Sequence, residues 1–419
     1  MHHRPSRSPT DFQQFVSDSD ANPRIYLTGP AGSGKTTAAV LRMENLLEAD
    51  PWGEILVLTP HRALGMPYLS AGTAASRNRV HTLTMNGLAR RMVNLFWPLL
   101  SEPAGFRAPY NEPRFLTMET AQVVMGQIVE PLMDQGYFST ITLTKNRLYS
   151  QLIDNLNKSA IVGFPHSEIG QRLKSAWIGD ASQLRVYDEV QECVNLFRAR
   201  CLEDNFLDLS LQVELFANEL WQHPICRRYL RNQYQHLIYD NVEEDPPYAH
   251  DLVEDWLPDF KSALIISDSG GGFRRFLGAD PISASRFAQS GLVSISISTE
   301  SPEDDKARTF SHWLEGKQTS QRQATYSIPG NALQQDLVIP QEPLRHFPQM
   351  IDQAVDWVAK LWEGENKPCI VLLAPFISTA LSFELESRLS EKEIPLQVVR
   401  TTVPLITDWR IRLLADLLA

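Results

Sequence analysis

The chain has 419 residues, enough for roughly two or three domains with sizeable cores, and 43% hydrophobic against 21% charged residues excludes a disordered or low-complexity protein. Lysine and arginine number 39 against 50 acidic residues, so the net charge of -11 excludes a globally basic nucleic-acid surface and leaves only local patches. No apolar run reaches the ~18 residues of a membrane span, and the opening MHHRPSRSPT lacks the apolar core of a secretory signal, so a cytoplasmic protein is expected.

From Arg24 the pattern predicts a strand at Ile25–Leu27, a glycine-rich turn, and a helix from Lys35 through Leu47. A second strand, Ile55–Leu58, ends at Thr59-Pro60; its unbroken apolar run suits a parallel strand covered on both faces. Between about Pro98 and Leu202 the periodicity turns helical, with amphipathic stretches at Thr117–Met133 and Leu148–Leu156, which predicts a helical insertion. Strands return at His236–Tyr239 and Ala263–Ile266, each followed by a carboxylate, Asp240 or Asp268, and carboxylates at strand carboxyl ends read as a site. Thr299 to about Gln341 is polar and reads as a connection. A further unit follows: a helix near Met350–Trp362, a strand at Cys369–Leu373, a helix at Leu381–Leu389 and a strand near Gln397–Val399. The class is α/β with a RecA-like parallel sheet.

Gly29-Pro30-Ala31-Gly32-Ser33-Gly34-Lys35-Thr36, with Thr37 beyond it, fits the P-loop pattern G-x-x-x-x-G-K-[ST] in its required strand, loop, helix context. Glycines let backbone amides turn toward phosphate oxygens, and the helix N-terminus adds partial positive charge. Lys35 is expected on the β- and γ-phosphates and Thr36 on Mg²⁺, making ATP with Mg²⁺ the expected cofactor pair. Asp240, about two hundred residues later, is the expected second Mg²⁺ group, bound directly or through water. The residue after it is Asn241, whose amide cannot accept a proton as a general base; Glu243 and Glu244 are the spare carboxylates.

Cys193, Cys201, Cys226 and Cys369 are too widely spaced for a metal or redox pair and read as buried free thiols. The local basic patches are Arg77 with Arg79, Arg90 with Arg91, Arg227 with Arg228 and Arg231, and Arg274 with Arg275; each alone reads first as a solvated face.

The order of these segments resembles the UvrD/Rep family of superfamily 1 DNA helicases over almost the whole chain. Gln13, or its neighbour Gln14, stands where that family has an adenine-reading glutamine. Ile55–Leu64 (ILVLTPHRAL) resembles motif Ia, and Val80–Met92 (VHTLTMNGLARRM) resembles the DNA-contacting motif after it. Phe206–Leu209 resembles a short Leu-Asp-Phe segment, Tyr234–Asp245 (YQHLIYDNVEED) motif II, and Ile265–Ala279 (IISDSGGGFRRFLGA) motif III. Ile370–Leu389 with Ile394-Pro395 resembles motif IV. The resemblance implies single-stranded DNA contacts at Thr59, His61, Arg62 and Thr82, with Phe273 and Phe276 as base-stacking or core-packing residues.

It also implies a domain order: residues 1–97 and 205–300 forming a first RecA-like domain, 98–204 a helical insertion, 301–345 a connection, and 346–419 an incomplete second RecA-like domain. Three positions depart from the family, namely Asn241 for the motif II glutamate, Gly271 for the motif III glutamine and Pro375 for the motif IV arginine. All three concern hydrolysis, and the family's later arginine finger falls beyond Ala419. The expectation is an ATP-binding helicase-family protein of DNA repair or recombination with doubtful hydrolysis. The alternative is a non-motor subunit similar to AddB, a scaffold that works with a partner helicase or nuclease subunit.

Overall fold

The structure, a computed structural model, describes residues 10–71, 78–297, 344, 346–363, 367–374 and 377–398. It divides at residue 299 into two units, which are described separately.

The first unit is built on a six-stranded, wholly parallel sheet of order β3-β2-β6-β7-β1-β8. Its strands are β1 (Arg24–Gly29), β2 (Ile55–Leu58), β3 (Val80–Leu83), β6 (His236–Tyr239), β7 (Ser262–Asp268) and β8 (Val293–Ser296). A separate parallel pair joins β4 (Arg114–Phe115) to β5 (Phe206–Leu207).

Period-two alternation assigns the sheet's two faces. Ile25, Leu27, Ile55, Val57, Ile238, Leu264 and Ile266 enter one core, under α1 (Asp11–Ser17), α2 (Lys35–Ala49) and α3 (Met66–Ala71). Tyr26, Leu56, Leu58, Leu237, Tyr239, Ala263 and Ile265 enter the other. Strands buried on both faces are apolar along most of their length, which is why Ile55–Leu58, Leu237–Tyr239 and Ala263–Ile266 read as continuous hydrophobic runs.

The second face is covered by α4 (Met85–Leu95), α5 (Trp97–Leu100) and a helical insertion between β3 and β5. The insertion holds α6 (Met118–Asp134), α7 (Lys145–Val162), α8 (Ile169–Ala176) and α9 (Leu184–Glu203), so the helical reading of this stretch holds. After β5 come α10 (Leu209–Leu215), α11 (Pro224–Gln233), α12 (Pro247–Trp256) and α13 (Pro281–Ala284). Asp208, in the Leu-Asp segment, caps α10 by accepting from the amides of Ser210 and Leu211, and pairs with the buried Arg198.

In the second unit, α14 (Phe347–Trp362) packs on α15 (Thr379–Ser390) through Ile351, Val355, Val358 and Leu389. Both helices match the sequence reading, but Cys369–Leu373 and Gln397–Val398 form no strand among the described residues. Val399, Pro375, most of the 301–345 connection and Arg77 lie outside the described residues. Cys193, Cys201 and Cys226 are buried free thiols as expected, with burial pushing Cys193 and Cys226 up to about 12, whereas Cys369 is exposed. No helix among the described residues is long and apolar enough to cross a membrane.

Candidate functional site

Strand register gathers the site. β1 lies beside β7, with Gly29 opposite Asp268, and β7 lies beside β6, which ends one residue before Asp240. The glycine-rich loop and both carboxylates therefore meet at the carboxyl edge of three adjacent strands, where an open α/β sheet presents its crevice.

The loop from Gly29 enters α2 through Gly34, whose φ of 85° is left-handed. A Cβ there would stand 2.8 Å from Gln13 Nε2, which could swing aside, so it is the backbone conformation that favours glycine. The amides of Ala31, Gly32, Gly34, Lys35, Thr36 and Thr37 donate to no other described residue. Six unspent donors in one loop and helix start form a cradle for anionic oxygens. The Lys35 side chain is buried, and its ammonium donates to the carbonyls of Gly29 (2.7 Å) and Pro30 (2.6 Å) and to Ser33 Oγ (3.4 Å). It lies 3.7 Å from Asp268 Oδ2. Burial lowers its pKa, while Asp268 and Asp240 pull it back up.

Asp240 is buried, and one oxygen, Oδ2, accepts from both Thr36 Oγ1 (3.2 Å) and Tyr68 Oη (2.7 Å). Burial raises its pKa against these two hydrogen bonds. Tyr68, on α3, is fully buried, and burial together with Asp240 holds its phenol well above its ordinary value. It is a site residue that the motif reading misses, because its meeting with Asp240 exists only in the fold.

Asn241 sits in the left-handed region (φ 59°), which asparagine tolerates better than most side chains, and its Nδ2 lies 3.4 Å from Glu243 Oε1. Glu243 is buried and accepts from the Asp268 amide at 2.9 Å. A Cβ on residue 271 would stand 2.6 Å from Glu243 Oε1, so glycine at 271 makes room for this carboxylate. Glu244 differs. Its two oxygens accept from the amides of Gly272 (2.7 Å), Phe273 (3.0 Å) and Arg274 (3.0 Å), which fixes it as the anchor of the 271–274 loop. Of the two spare carboxylates, Glu243 is the one bonded to Asp268, beside the glycine-rich loop.

Gln13 lies over the loop: its Oε1 accepts from the Thr10 amide (3.0 Å) and its Nε2 donates to the Gly34 carbonyl (3.4 Å), while Gln14 is exposed. Arg42 holds α1 in place. Fully buried on α2, it donates to the carbonyls of Val16 (2.7 Å), Asn22 (3.0 Å) and Pro23 (3.0 Å), and burial pulls its pKa down to about 10.

The residues tied to DNA by sequence divide in two. Thr59 is fully buried and donates to the His61 carbonyl (3.1 Å), and Thr82 Oγ1 and His61 Nδ1 are buried without a hydrogen-bond partner. Burial and Arg274 together lower the His61 pKa. Arg62, by contrast, is exposed, and Phe273 and Phe276 are 81% and 76% exposed, so neither ring packs in the core. Among the basic patches, Arg227 and Arg231 pair with Asp255 and Asp259, and Arg79 caps the carbonyls of Leu47, Asp50 and Gly53. Arg90 and Arg91 have no carboxylate partner among the described residues. No protein-family profile matches this sequence, and no curated protein matches it either.

Proposed function

We propose that the chain binds ATP with Mg²⁺ in the 29–37 loop and contacts single-stranded DNA, as a helicase-family protein of the UvrD/Rep kind in DNA repair or recombination. The observation that carries the nucleotide reading is the loop itself: six amides without acceptors, the Lys35 ammonium beside them, and a Thr36–Asp240 oxygen pair 3.2 Å apart. Amides and ammonium suit phosphate oxygens, while a hydroxyl and a carboxylate suit a hard divalent cation. Thr36 and Asp240 would hold the cation, which would supply neutralisation of phosphate charge.

In this reading Lys35 leaves the carbonyls of Gly29 and Pro30 for the phosphates, and Thr36 and Asp240 hold the cation. Gln13 stands at the loop to read the base. Arg62, Phe273 and Phe276 supply an exposed guanidinium and two exposed rings for backbone and bases. The DNA part rests on the resemblance of motif order and on this exposure.

A second reading, a non-motor scaffold or DNA-guiding subunit beside a partner helicase or nuclease subunit, has its own supporting observation. The carboxylate that usually follows Asp240 is replaced by Asn241, and Glu244 is spent on three amides. Losing a general base slows a reaction by roughly 10² to 10⁴-fold. Steady-state ATP turnover with and without single-stranded DNA separates the two: DNA-stimulated turnover supports the motor, whereas background turnover with intact ATP binding supports the scaffold.

A further inference from the structure

Main-chain bonds tie the connection from α5 to β4 onto the turn from α9 into β5. The Arg107 amide donates to the Leu202 carbonyl (3.0 Å), the Arg114 amide to that of Asn205 (2.8 Å) and the Leu116 amide to that of Leu207 (2.9 Å). Between the two segments lies a cavity of about 730 Å³, well inside the ~300–1,000 Å³ range of ligand sites. Its walls include Glu112, Arg114, Glu203, Asp204, Asn205 and Phe206, so it stands at the base of the helical insertion and uses none of the nucleotide or DNA candidates above.

Asn205 is only 4% exposed and sits in the left-handed region at φ 56°, which asparagine tolerates better than most side chains. Its Nδ2 donates to the carbonyls of Ala108 (2.6 Å) and Asn111 (3.2 Å). Turning the amide over would set an oxygen against those two oxygens, so its orientation is fixed and Oδ1 remains as the acceptor. That oxygen is buried without a hydrogen-bond partner among the described residues. A buried acceptor left unmet is costly and rare, and it calls for a donor.

The surrounding charges narrow which donor. Glu203 pairs with Arg107 (2.7 Å) and Arg200 (3.8 Å), and Asp204 with Arg200 (2.6 Å), but both arginines are exposed and such surface pairs contribute little. The Glu112 carboxylate has no partner among the described residues. Three carboxylates, the orphaned Oδ1 and the half-buried Phe206 ring outweigh Arg114, the one cation among the described lining residues. The complement of that set is a cation with several N–H donors and a flat face.

We infer that the cavity receives an arginine side chain from an extended segment of a partner protein. A guanidinium carries five N–H donors in a planar fork: two suit the free Glu112 carboxylate, a third suits Asn205 Oδ1, and its face suits the Phe206 ring. An ammonium has the charge but neither the fork nor the face. The volume exceeds what a guanidinium fills and leaves room for flanking main chain, whose carbonyls Arg114 is placed to meet. Nothing in this site depends on nucleotide or DNA binding.

A peptide-observed NMR titration against the full chain tests the site, with acetyl-Gly-Gly-Arg-Gly-Gly-amide as the probe and the same peptide carrying citrulline, lysine or glycine at its centre for comparison. The arginine peptide is expected to bind saturably, at about millimolar affinity or tighter. The citrulline and glycine peptides should bind at least about tenfold more weakly and the lysine peptide in between, because charge and fork are lost together or one at a time. Glu112→Gln, at an exposed position, should leave the Tm unchanged and weaken the arginine peptide about tenfold. No saturable binding of the arginine peptide, equal binding of the citrulline peptide, or unchanged affinity in Glu112→Gln would each overturn the site. Free L-argininamide binding as tightly as the peptide would keep the guanidinium pocket and overturn the partner segment as its occupant. Each of these results stands apart from ATP-analogue and oligonucleotide binding, so failure here leaves the nucleotide and DNA readings intact.

Discussion

Tyr68 and Thr36 share a single oxygen of Asp240, so the carboxylate's orientation depends on two hydroxyls from different helices. Replacing Tyr68 with Phe removes one buried hydrogen bond, a loss of roughly 1–3 kcal/mol. Differential scanning fluorimetry should register a lower Tm, and the Mg²⁺ concentration needed for tight nucleotide binding should change, while Mg²⁺-free nucleotide affinity stays constant. Asp245 makes a pH prediction. Burial pushes its carboxyl up to about 7, despite the hydrogen bond it accepts from Tyr239 Oη at 2.8 Å; in an unfolded chain the value is ~3.9. Between those two values the folded state keeps a proton that the unfolded state has lost, so this group's contribution to stability falls as pH rises from ~4 to about 7. Below ~4 both states are protonated and it contributes no pH dependence. Asp245→Asn should therefore match the unmodified chain in Tm near pH 4 and exceed it near pH 8; a pH-independent difference would contradict the assignment. The glycine-rich turn into α2 was legible in the sequence because its glycines and Lys35 are neighbours in the chain and their spacing alone encodes the turn. Tyr68 was not, since nothing local to MPYLSA signals a carboxylate 172 residues away.

α1 depends on Arg42 more than on its own seven residues, too short a helix to be stable alone. The guanidinium fills three carbonyls at the end of α1 and the turn after it, and carries Gln13 to Gly34. Arg42→Ala should leave those carbonyls unsatisfied, lower stability by about 3 kcal/mol or more, and raise hydrogen exchange across residues 11–22 before the sheet opens. Exchange unchanged in that segment would show that other contacts hold it. The central strands were readable because burial on both faces forces apolar runs, but β8, of sequence VSIS and mostly exposed at the sheet edge, carries no such signature. Cys369–Leu373 teaches the converse. CIVLL has strand composition, yet forms no strand among the described residues, because a strand needs a hydrogen-bonding neighbour as well as apolar side chains.

At the scale of the molecule, parallel order β6-β7-β1 is what converts residues more than two hundred positions apart into one site. The carboxylates around this convergence differ in role: Glu244 anchors a loop, Glu243 accepts from the Asp268 amide, and Gly271 makes space for it. The central claim is that this convergence binds a nucleoside triphosphate with Mg²⁺. Its most direct measurement is an equilibrium titration of a fluorescent ATP analogue with Mg²⁺ against the unmodified chain and Lys35→Ala. Saturable binding, weakened at least ~10-fold by removal of the ammonium's charge-assisted hydrogen bonds, is the predicted result. Equal affinity in the two proteins, or no saturable binding by the unmodified chain, would contradict it.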